Sequence, residues 1–313
     1  VGLNVAADTF VQLTYLNIIG GMIVVLGDDP GANSSQNEQD NRHFAYLSYT
    51  PVLEPANPSE VYDYYKKAAE LSRKSGKVII LRLTTHVCHA KEKVSFSSWE
   101  PQKHNKTPRF SPKNGPYIPL VSLIYPMKER ALRHLDEIVK WVDSHNLHKK
   151  EINGSSRGII TSGLVYLSVK EALLDAEEKV DILKLAMVYP LAKNVILDFL
   201  QTHEEVKILE ELDDTLERSI KALAYDNGLT TKILGKNTLD DWVGEYTPDK
   251  IRAILHANWP NVIVSKKEVV LPEAPLRPAQ MCPGCGHRSA FHAIGKALSE
   301  NDISIADIGC HTL

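Results

Sequence analysis

The chain has 313 residues, 43% of them hydrophobic and 24% charged, which is typical of a globular protein of about two domains. The formal net charge of −3 argues against nucleic acid as a partner, and four cysteines are too few for a disulfide scaffold. No apolar run approaches the roughly 18 residues of a membrane helix and no signal peptide is evident, so we expect a cytoplasmic protein without a membrane partner.

Strands and helices alternate in the first part of the chain, a pattern typical of a parallel α/β sheet. Residues 18–26 (IIGGMIVVL) predict a buried parallel strand, because the run is short, β-rich and bounded by turn residues. Residues 59–75 predict a helix with Ser59 as its N-cap, and Gly76 ends it. Residues 77–83 predict a second buried strand, which completes a strand–helix–strand unit.

A long polar loop, GDDPGANSSQNEQDNR, follows the first predicted strand. Open α/β sheets bind ligands at the carboxyl ends of their strands, so this loop is a candidate for ligand binding. The loop ends at Arg42, whose planar guanidinium suits a carboxylate bound through two parallel hydrogen bonds. The alternative is a solvated surface loop without a binding role.

The second half of the chain predicts another α/β unit. Residues 95–120 contain several prolines and lack periodicity, which indicates a linker or an extended arm, and residues 122–147 predict a long amphipathic helix. From Gly158 onward the alternation of strands and helices predicts a Rossmann-like parallel sheet. Its strands are expected at 158–163, at the end of 180–191 and at 206–212, and its helices at 164–176, 192–203 and 213–223.

Two smaller groups of polar residues carry weaker signals. His86, Cys88 and His89 are residue types that bind metals, but on a strand His89 would point away from the other two, so metal binding there is disfavoured. Glu210 and Glu211 end an apolar strand, where a solvated pair or a contact between domains is favoured over acid–base catalysis.

The most specific motif is CPGC, which places Cys282 and Cys285 on a Pro-Gly turn. Thiols at positions i and i+3 of such a turn can face one metal ion or cluster. Cys310, in a Gly-Cys turn after the apolar stretch ISIADI, is a candidate third ligand. Two interpretations stay open: a metal site whose fourth ligand lies beyond residue 313, or structural thiols beside another ligand.

Several of these segments together resemble one family. In chain order they are GDDPGANSSQNEQDNRHFA, PVLEPANPSE, GIITSGLVY, ILKLAMVYPL, the strand ending in EEL, CPGCGHR and DIGCHTL. They are similar to the large (alpha) subunits of indolepyruvate:ferredoxin oxidoreductases, which belong to the 2-oxoacid:ferredoxin oxidoreductases. The resemblance implies an α/β fold: a partial parallel-sheet domain of the thiamine-diphosphate-binding type, a Rossmann-like transketolase C-terminal-like domain, and the start of a second thiamine-diphosphate-binding domain.

The resemblance also implies domain limits and an incomplete chain. The limits are 1–95 for the pyrimidine-binding domain, 96–120 for the linker, 121–265 for the transketolase C-terminal-like domain and 278–313 for the start of the diphosphate-binding domain. The glutamate that activates thiamine in the family would precede this sequence, and the magnesium–diphosphate motif would follow it. We therefore expect a fragment that is inactive alone.

The activity implied by the resemblance is the oxidative decarboxylation of aryl 2-oxo acids such as indolepyruvate to acyl-coenzyme A. The implied cofactors are thiamine pyrophosphate, Mg²⁺ and 4Fe–4S clusters. The implied partners are a 2-oxo acid substrate, coenzyme A, ferredoxin and the smaller beta subunit of the same enzyme. The alternatives are a thiamine enzyme without redox chemistry and a non-enzymatic zinc-binding or assembly module built on CPGC.

Site residues follow from the same resemblance. Arg42 would bind the substrate carboxylate, and the competing interpretation is that it pairs with Asp40 or Glu38 and only rigidifies the loop. The residues expected to contact the cofactor are Gly284, Cys285, His287, Gly309, Cys310 and Thr312. The candidate iron–sulfur ligands are Cys282, Cys285 and Cys310, an incomplete set.

Overall fold

The computed structural model describes residues 2–33, 35, 37–96, 120–263 and 281–305. Val1–Ser265 form one compact unit and Lys266–Leu313 a second. The predicted linker at 96–120 lies outside the described residues except at its two end positions. The α/β class predicted from the sequence is confirmed, since helices and mainly parallel strands alternate along the first unit.

The first unit contains two sheets and the helices that cover them. The described strands are β1 (Met22–Asp28), β2 (Val52–Leu53), β3 (Val78–Thr84), β4 (Lys149–Glu151), β5 (Arg157–Ser162), β6 (Asp181–Leu185), β7 (Met187–Tyr189), β8 (Glu205–Leu209) and β9 (Lys232–Leu234). The helices of this unit are α1 (Gly2–Val5), α2 (Ala7–Leu13), α3 (Arg42–Ser48), α4 (Pro58–Ser75), α5 (Thr85–His89), α6 (Ile124–Ser144), α7 (Val165–Ala172), α8 (Lys193–Gln201), α9 (Thr215–Asp226) and α10 (Pro248–Asn258).

The first sheet has the strand order β1-β3-β2-β7. β1 and β2 run parallel to β3, and β7 runs antiparallel to β2. The strand predicted at 18–26 as buried is corrected in two ways: it begins at Met22, and it lies at an edge of the sheet. Because an edge strand lacks a neighbour on one side, Val25 stays 57% exposed.

Helix α4 lies between β1 and β3 in the chain, as predicted, with the short strand β2 directly before it, but its N-cap is Asn57 and not Ser59. The Asn57 side chain accepts a hydrogen bond from the backbone N–H of Glu60 at 2.9 Å, and Pro58 occupies the first helical position. The helix ends at Gly76, whose φ of +68° is the left-handed conformation that favours glycine at this position. The segment containing His86 and His89, expected as a strand, is the short helix α5.

The second sheet has the order β4-β6-β5-β8-β9, in which all neighbours are parallel except the edge pair β4 and β6. Successive residues of β5 face opposite sides, as the pleat of a strand requires. Ile159 packs with α7 and α10 on one side, and Ile160 packs with α8 and α9 on the other. The Rossmann-like alternation predicted for this part of the chain is confirmed.

Two elements from the later part of the chain, β7 and α6, belong to the first sheet or pack on it. β7 follows β6 of the second sheet after one residue, yet it pairs with β2 in the first. Helix α6 also packs on the first sheet, where Ile138 and Trp141 lie in one core cluster with Leu53 and Leu81. The domain limits expected from the sequence stay a prediction, and the contacts make 2–96 and 120–263 one packed body.

The described part of the second unit is a turn followed by one helix, α11 (Gly286–Ala297). Among the described residues of both units, no helix has the length and apolar composition needed to cross a membrane.

Candidate functional site

Charged side chains from both sheets meet in a buried ion network. It lies where the parallel strands β1, β2, β3, β5 and β8 reach their carboxyl ends, which is where open α/β sheets place ligand sites. We define the ion network by these residues: Asp28, Asp40, Arg42, Glu54, Arg82 and Glu210. Each of them is at most 5% exposed, so the charges interact with little screening by water.

Arg42 begins α3 and spans the gap between the loop at 29–41 and the end of β8. Its Nε lies 3.0 Å from both carboxylate oxygens of Asp40, and its Nη1 donates to Glu210 Oε2 at 2.6 Å. Its Nη2 donates to Asp40 Oδ2 and to the backbone carbonyls of Glu211 and Asp213 at 2.6, 2.9 and 2.9 Å. The guanidinium is therefore held by protein oxygens on all sides.

The two acidic partners of Arg42 respond differently to burial. For Asp40, burial opposes ionisation, but Arg42 and Arg82 outweigh it and hold the pKa of the carboxyl well below its usual range. For Glu210, burial prevails over Arg42 and raises the pKa. Glu210 also accepts hydrogen bonds from the backbone N–H groups of Leu216 and Glu217 at 3.0 and 2.7 Å, which satisfies the start of α9.

Arg82 holds the carboxyl ends of three strands together. Its Nε donates to Asp28 at the end of β1 at 2.6 Å, and its Nη1 donates to Glu54 after β2 at 2.7 Å. Glu54 also accepts a hydrogen bond from Ser162 at the end of β5 at 2.6 Å. Nη2 of Arg82 has no hydrogen-bond partner in the described part of the chain and lies 4.0 Å from Asp40.

A second layer of polar groups surrounds the end of β8. Glu211 is buried and accepts a hydrogen bond from the backbone N–H of Tyr246 at 2.9 Å, and burial raises its pKa. Lys236 donates to the carbonyls of Glu210 and Asp241 at 2.6 and 2.7 Å and to the hydroxyl of Tyr246 at 2.9 Å. Burial lowers the pKa of Lys236 to about 8.

Two described side chains of the polar loop at 29–41 contact the segment before α10. Glu38 accepts hydrogen bonds from the backbone N–H groups of Gly31 and Gly244 at 2.5 and 2.8 Å. Glu245 accepts one from the side chain of Asn33 at 2.9 Å and pairs with His86 at 2.7 Å. Asn33 and Glu38 thus tie the loop to Gly244 and Glu245.

Sequence reasoning found one part of this site and missed another. It singled out the loop and Arg42, and the structure brings Arg42 together with Asp40, as in the competing interpretation. Its role in binding a substrate carboxylate stays a prediction. It missed Asp28, Glu54 and Arg82. One signal was available: Arg82 is the single charge in the apolar run VIILRLT. A charge in a buried strand requires a buried partner.

The pair Glu210 and Glu211 was expected to be solvated or to form a contact between domains. The solvated alternative is wrong, since the side chains are 2% and 6% exposed. Glu210 instead joins the second sheet to Arg42 of the first half of the chain. No group of three or more His, Cys, Asp or Glu side chains within the described residues is arranged to hold a metal ion, and this includes His86, Cys88 and His89.

The CPGC motif forms a tight turn in the second unit. The backbone N–H of Cys285 donates to the carbonyl of Cys282 at 3.1 Å, and Gly284 adopts a φ of +78°. Cys285 precedes α11, and its Sγ lies 3.6 Å from Nδ1 of His287. Both thiols are free, with Cys282 exposed and Cys285 half-buried.

The remaining predicted cofactor residues lie outside the described residues; they are Gly309, Cys310 and Thr312. The second unit has two described thiols, Cys282 and Cys285, whereas a 4Fe–4S cluster takes about four cysteine ligands. The described donor set is therefore too small to hold a cluster by itself.

Along its whole length the chain is similar in sequence to one group of known proteins. No family model matches it. It is 34% identical over 323 residues to the indolepyruvate oxidoreductase subunit IorA of Methanothermobacter marburgensis and 36% identical over 332 residues to that of Thermococcus kodakarensis. Each alignment covers 100% of the chain but 52% and 50% of the relative. The chain thus spans about half the length of the curated relatives it matches.

A solved structure with a similar fold is the 2-oxoglutarate:ferredoxin oxidoreductase of Magnetococcus marinus, with 2-oxoglutarate, coenzyme A and succinyl-CoA bound. The TM-score is 0.56 and the sequence identity 15%, over 80% of this chain and 51% of the other. At this identity the similarity concerns the fold.

Proposed function

We propose a function for the chain on the premise that it belongs to the family of the indolepyruvate oxidoreductase subunit IorA. In this proposal it forms part of the alpha subunit of a 2-oxoacid:ferredoxin oxidoreductase that converts aryl 2-oxo acids, such as indolepyruvate, oxidatively to acyl-coenzyme A. The observation that carries the proposal is the similarity to IorA subunits along the full 313 residues. The fold shared with a 2-oxoglutarate:ferredoxin oxidoreductase supports the reaction class.

The proposed cofactors are thiamine pyrophosphate with Mg²⁺, and 4Fe–4S clusters that pass electrons to ferredoxin. Thiamine pyrophosphate, when bound, supplies the electron sink for decarboxylation, while the protein orients the substrate and stabilises charge. In the described part of the second unit, the proposed contact residues are Gly284, Cys285 and His287. The left-handed turn at Gly284 supports this assignment, because a residue without Cβ lets a ligand approach the backbone closely.

In the first unit, the ion network has a supporting role in the proposal. It joins the carboxyl ends of five strands and fixes the loop at 29–41 against them. A catalytic site needs its groups held in one geometry, and a buried network of paired charges does this. The proposed binding of a substrate carboxylate by Arg42 would require the carboxylate to compete with Asp40 and Glu210 for the same donors.

The test is anaerobic reduction of a viologen dye by an intact enzyme whose alpha subunit contains this chain, assembled with its smaller beta subunit. Coenzyme A and thiamine pyrophosphate are present, and the substrates are indolepyruvate, phenylpyruvate, pyruvate and 2-oxoglutarate. We expect kcat/KM for the aryl substrates to exceed that for 2-oxoglutarate by at least about tenfold, which corresponds to about 1.4 kcal/mol. Faster turnover of 2-oxoglutarate would refute the substrate class, and turnover without coenzyme A would refute the reaction.

A further inference from the structure

The CPGC segment of the second unit forms one defined turn. The backbone N–H of Cys285 donates to the carbonyl of Cys282 at 3.1 Å, which closes a four-residue β-turn. Pro283 is the second residue of this turn, and Gly284 is the third, with a φ of +78°. Proline at the second position and a left-handed glycine at the third are the signature of a type II turn.

This turn brings the two cysteines within the reach of a disulfide bond. The first and fourth Cα atoms of a β-turn lie less than about 7 Å apart, and disulfides join Cα atoms that are about 4.4–6.8 Å apart. Cys282 and Cys285 are both free thiols. The reduced chain therefore holds them in a conformation from which the bond can form without refolding of the segment.

The two thiols have different surroundings. Cys282 is exposed, so a small molecule in solution can reach its sulfur. Cys285 is half-buried, directly precedes α11, and has its Sγ 3.6 Å from Nδ1 of His287. A nearby imidazole and the amino-terminal end of a helix are features of reactive cysteines. The turn thus presents one accessible thiol and one shielded thiol to each other.

A Pro-Gly turn is also an ordinary way for a chain to enter a helix, and the turn by itself would show no more than that. The turn does not need its thiols, however, because its hydrogen bond joins backbone atoms and its conformation depends on Pro283 and Gly284. Cys88, an exposed thiol on α5 of the first unit, has no second cysteine near it in the sequence. It serves as an internal reference for a thiol that reacts alone.

We propose that Cys282 and Cys285 are a redox-active pair that forms an intramolecular disulfide by exchange with a small-molecule disulfide such as oxidised glutathione. The sulfur of Cys282 attacks one sulfur of the small disulfide, and the first small thiol leaves with the proton of Cys282. The sulfur of Cys285 then attacks that of Cys282, and the second small thiol leaves with the proton of Cys285. The pair is oxidised by two electrons, and one small disulfide is reduced to two thiols.

The disulfide changes what the turn can bind. Metals and clusters bind the thiolate form of cysteine, and a sulfur held in a disulfide is no longer such a ligand. Oxidation therefore removes Cys282 and Cys285 together from the donor set of the second unit. This switch goes beyond the proposed function, because its formation requires only this chain and an oxidant.

The experiment equilibrates the full 313-residue chain with mixtures of reduced and oxidised glutathione under anaerobic conditions. Acid quenching, alkylation of the remaining thiols and mass spectrometry of tryptic peptides then report the state of each cysteine. Residues 268–288 form one tryptic peptide that contains both cysteines of the turn, since Arg277 is followed by proline. We expect this peptide to carry an internal disulfide, which protects both sulfurs from alkylation.

The dependence on glutathione concentration identifies an intramolecular bond. Its ratio of oxidised to reduced pair follows the concentration of oxidised glutathione divided by the square of that of reduced glutathione. A mixed disulfide at Cys88 follows the simple ratio of the two concentrations. Diluting both forms of glutathione about tenfold should therefore raise the oxidised-to-reduced ratio of the pair about tenfold and leave that of Cys88 within about twofold.

Gly284→Ala tests the role of the turn. Alanine disfavours the left-handed third position, so the variant should form the disulfide about fivefold less readily. The matched control is Gly295→Ala in α11, where an added Cβ meets nothing within 4 Å and a helical conformation suits alanine. Its disulfide equilibrium should stay within about twofold of the unaltered chain.

Four results would overturn the proposal. The first is a pair that stays reduced where Cys88 is already modified, and the second is peptide 268–288 with two glutathione adducts or with a link to peptide 297–313, which contains Cys310. The third is the same concentration dependence for the pair as for Cys88, since the two sulfurs would then react separately. The fourth is an equal effect of Gly284→Ala and Gly295→Ala, because the type II turn would then not be what closes the bond.

Discussion

At the scale of single residues, buried charge shapes the centre of this protein more than any exposed motif does. Arg42 and Arg82 are 2% and 5% exposed and are surrounded by carboxylates from both sheets. Removing one partner from such a network leaves the others buried without compensation, which costs more free energy than the pair itself contributes. Replacement of these arginines therefore affects stability first.

Arg42→Ala should lower the free energy of unfolding by about 3–5 kcal/mol, since Asp40 and Glu210 would lose their shared cation. Arg42→Lys should recover only part of this, because an ammonium cannot reproduce the donors that reach Asp40, Glu210 and two carbonyls. Urea unfolding measures both. The control is Arg218→Ala, which breaks the exposed pair with Asp214 and should cost less than about 1 kcal/mol.

The same variants test the predicted substrate role of Arg42. If the role of Arg42 is structural, kcat/KM of the intact enzyme should stay near normal when it is calculated per folded enzyme. If Arg42→Ala were as stable as Arg218→Ala while kcat/KM fell by about 30-fold or more, about 2 kcal/mol of transition-state binding, the carboxylate role would be supported instead.

Glu211 gives a pH-dependent prediction. Burial raises its pKa above the ordinary value of 4.5, so the folded state keeps a proton that the unfolded chain has lost. Its contribution to stability therefore falls as the pH rises from about 4.5 through the folded pKa. Glu211→Gln keeps an acceptor for the N–H of Tyr246 and removes this titration. Its stability relative to the unaltered chain should rise between pH 5 and pH 8, by about 1.4 kcal/mol for each unit of the shift.

Urea unfolding at pH 5, 6.5 and 8 checks this prediction. The control is Glu70→Gln, which makes the same chemical change on the exposed face of α4. If the free energies of unfolding of Glu211→Gln and of the unaltered chain changed in parallel with pH, Glu211 would keep an ordinary pKa in the folded state.

At the scale of elements, apolar runs predicted the strands and helices that lie in the middle of each sheet. β3, β5 and β8 were found because buried parallel strands are continuously apolar. β2 was missed because two residues carry no period. A strand was expected at the end of 180–191, where β7 lies, but its place in the first sheet was not foreseen, because its partner β2 lies about 135 residues earlier in the chain. Such pairing is decided by tertiary contacts, which a local pattern does not contain.

The start of α4 gives an element-scale prediction. Asn57 and Ser59 are both good capping residues, and the structure selects Asn57, with Pro58 at the first helical position. Asn57→Ala should lower the free energy of unfolding by about 1 kcal/mol, because the N–H of Glu60 loses its acceptor. Ser59→Ala is the control and should be nearly neutral. If thermal or urea unfolding showed equal losses of stability for Asn57→Ala and Ser59→Ala, the assignment of Asn57 as the N-cap would be wrong and Ser59 would again be a candidate.

At the scale of the whole molecule, the ion network and β7 join parts of the chain that the sequence presents as separate units. Arg42 reaches Glu210 across 168 positions, and Glu54 reaches Ser162 across 108. The alternation of elements predicted two α/β units, and a contact between domains at Glu210 and Glu211 was one expected alternative. Glu54 and Arg82 were not foreseen, because each is a single charge inside an apolar run. The loop, Arg42 and Glu210 were therefore singled out separately, but their association in one site was not foreseen.

The CPGC turn carries the last prediction, which concerns the proposed intact enzyme. Cys285 is half-buried, lies on a left-handed turn and has an imidazole 3.6 Å from its sulfur, an environment suited to a ligand. Cys285→Ser should therefore lower the iron content or weaken thiamine pyrophosphate binding by about tenfold, since a hydroxyl is a poor ligand for a cluster. Cys88→Ser replaces an exposed thiol in the first unit and should change neither.

The two measurements separate the interpretations that the sequence left open. Loss of about four iron atoms per subunit with thiamine affinity unchanged would identify Cys285 as a cluster ligand. Weaker thiamine binding with full iron content would place it beside the cofactor, as proposed for Gly284. If iron content and thiamine affinity both matched those of Cys88→Ser, Cys285 would be a structural thiol, and its assignment as a cofactor residue would be wrong.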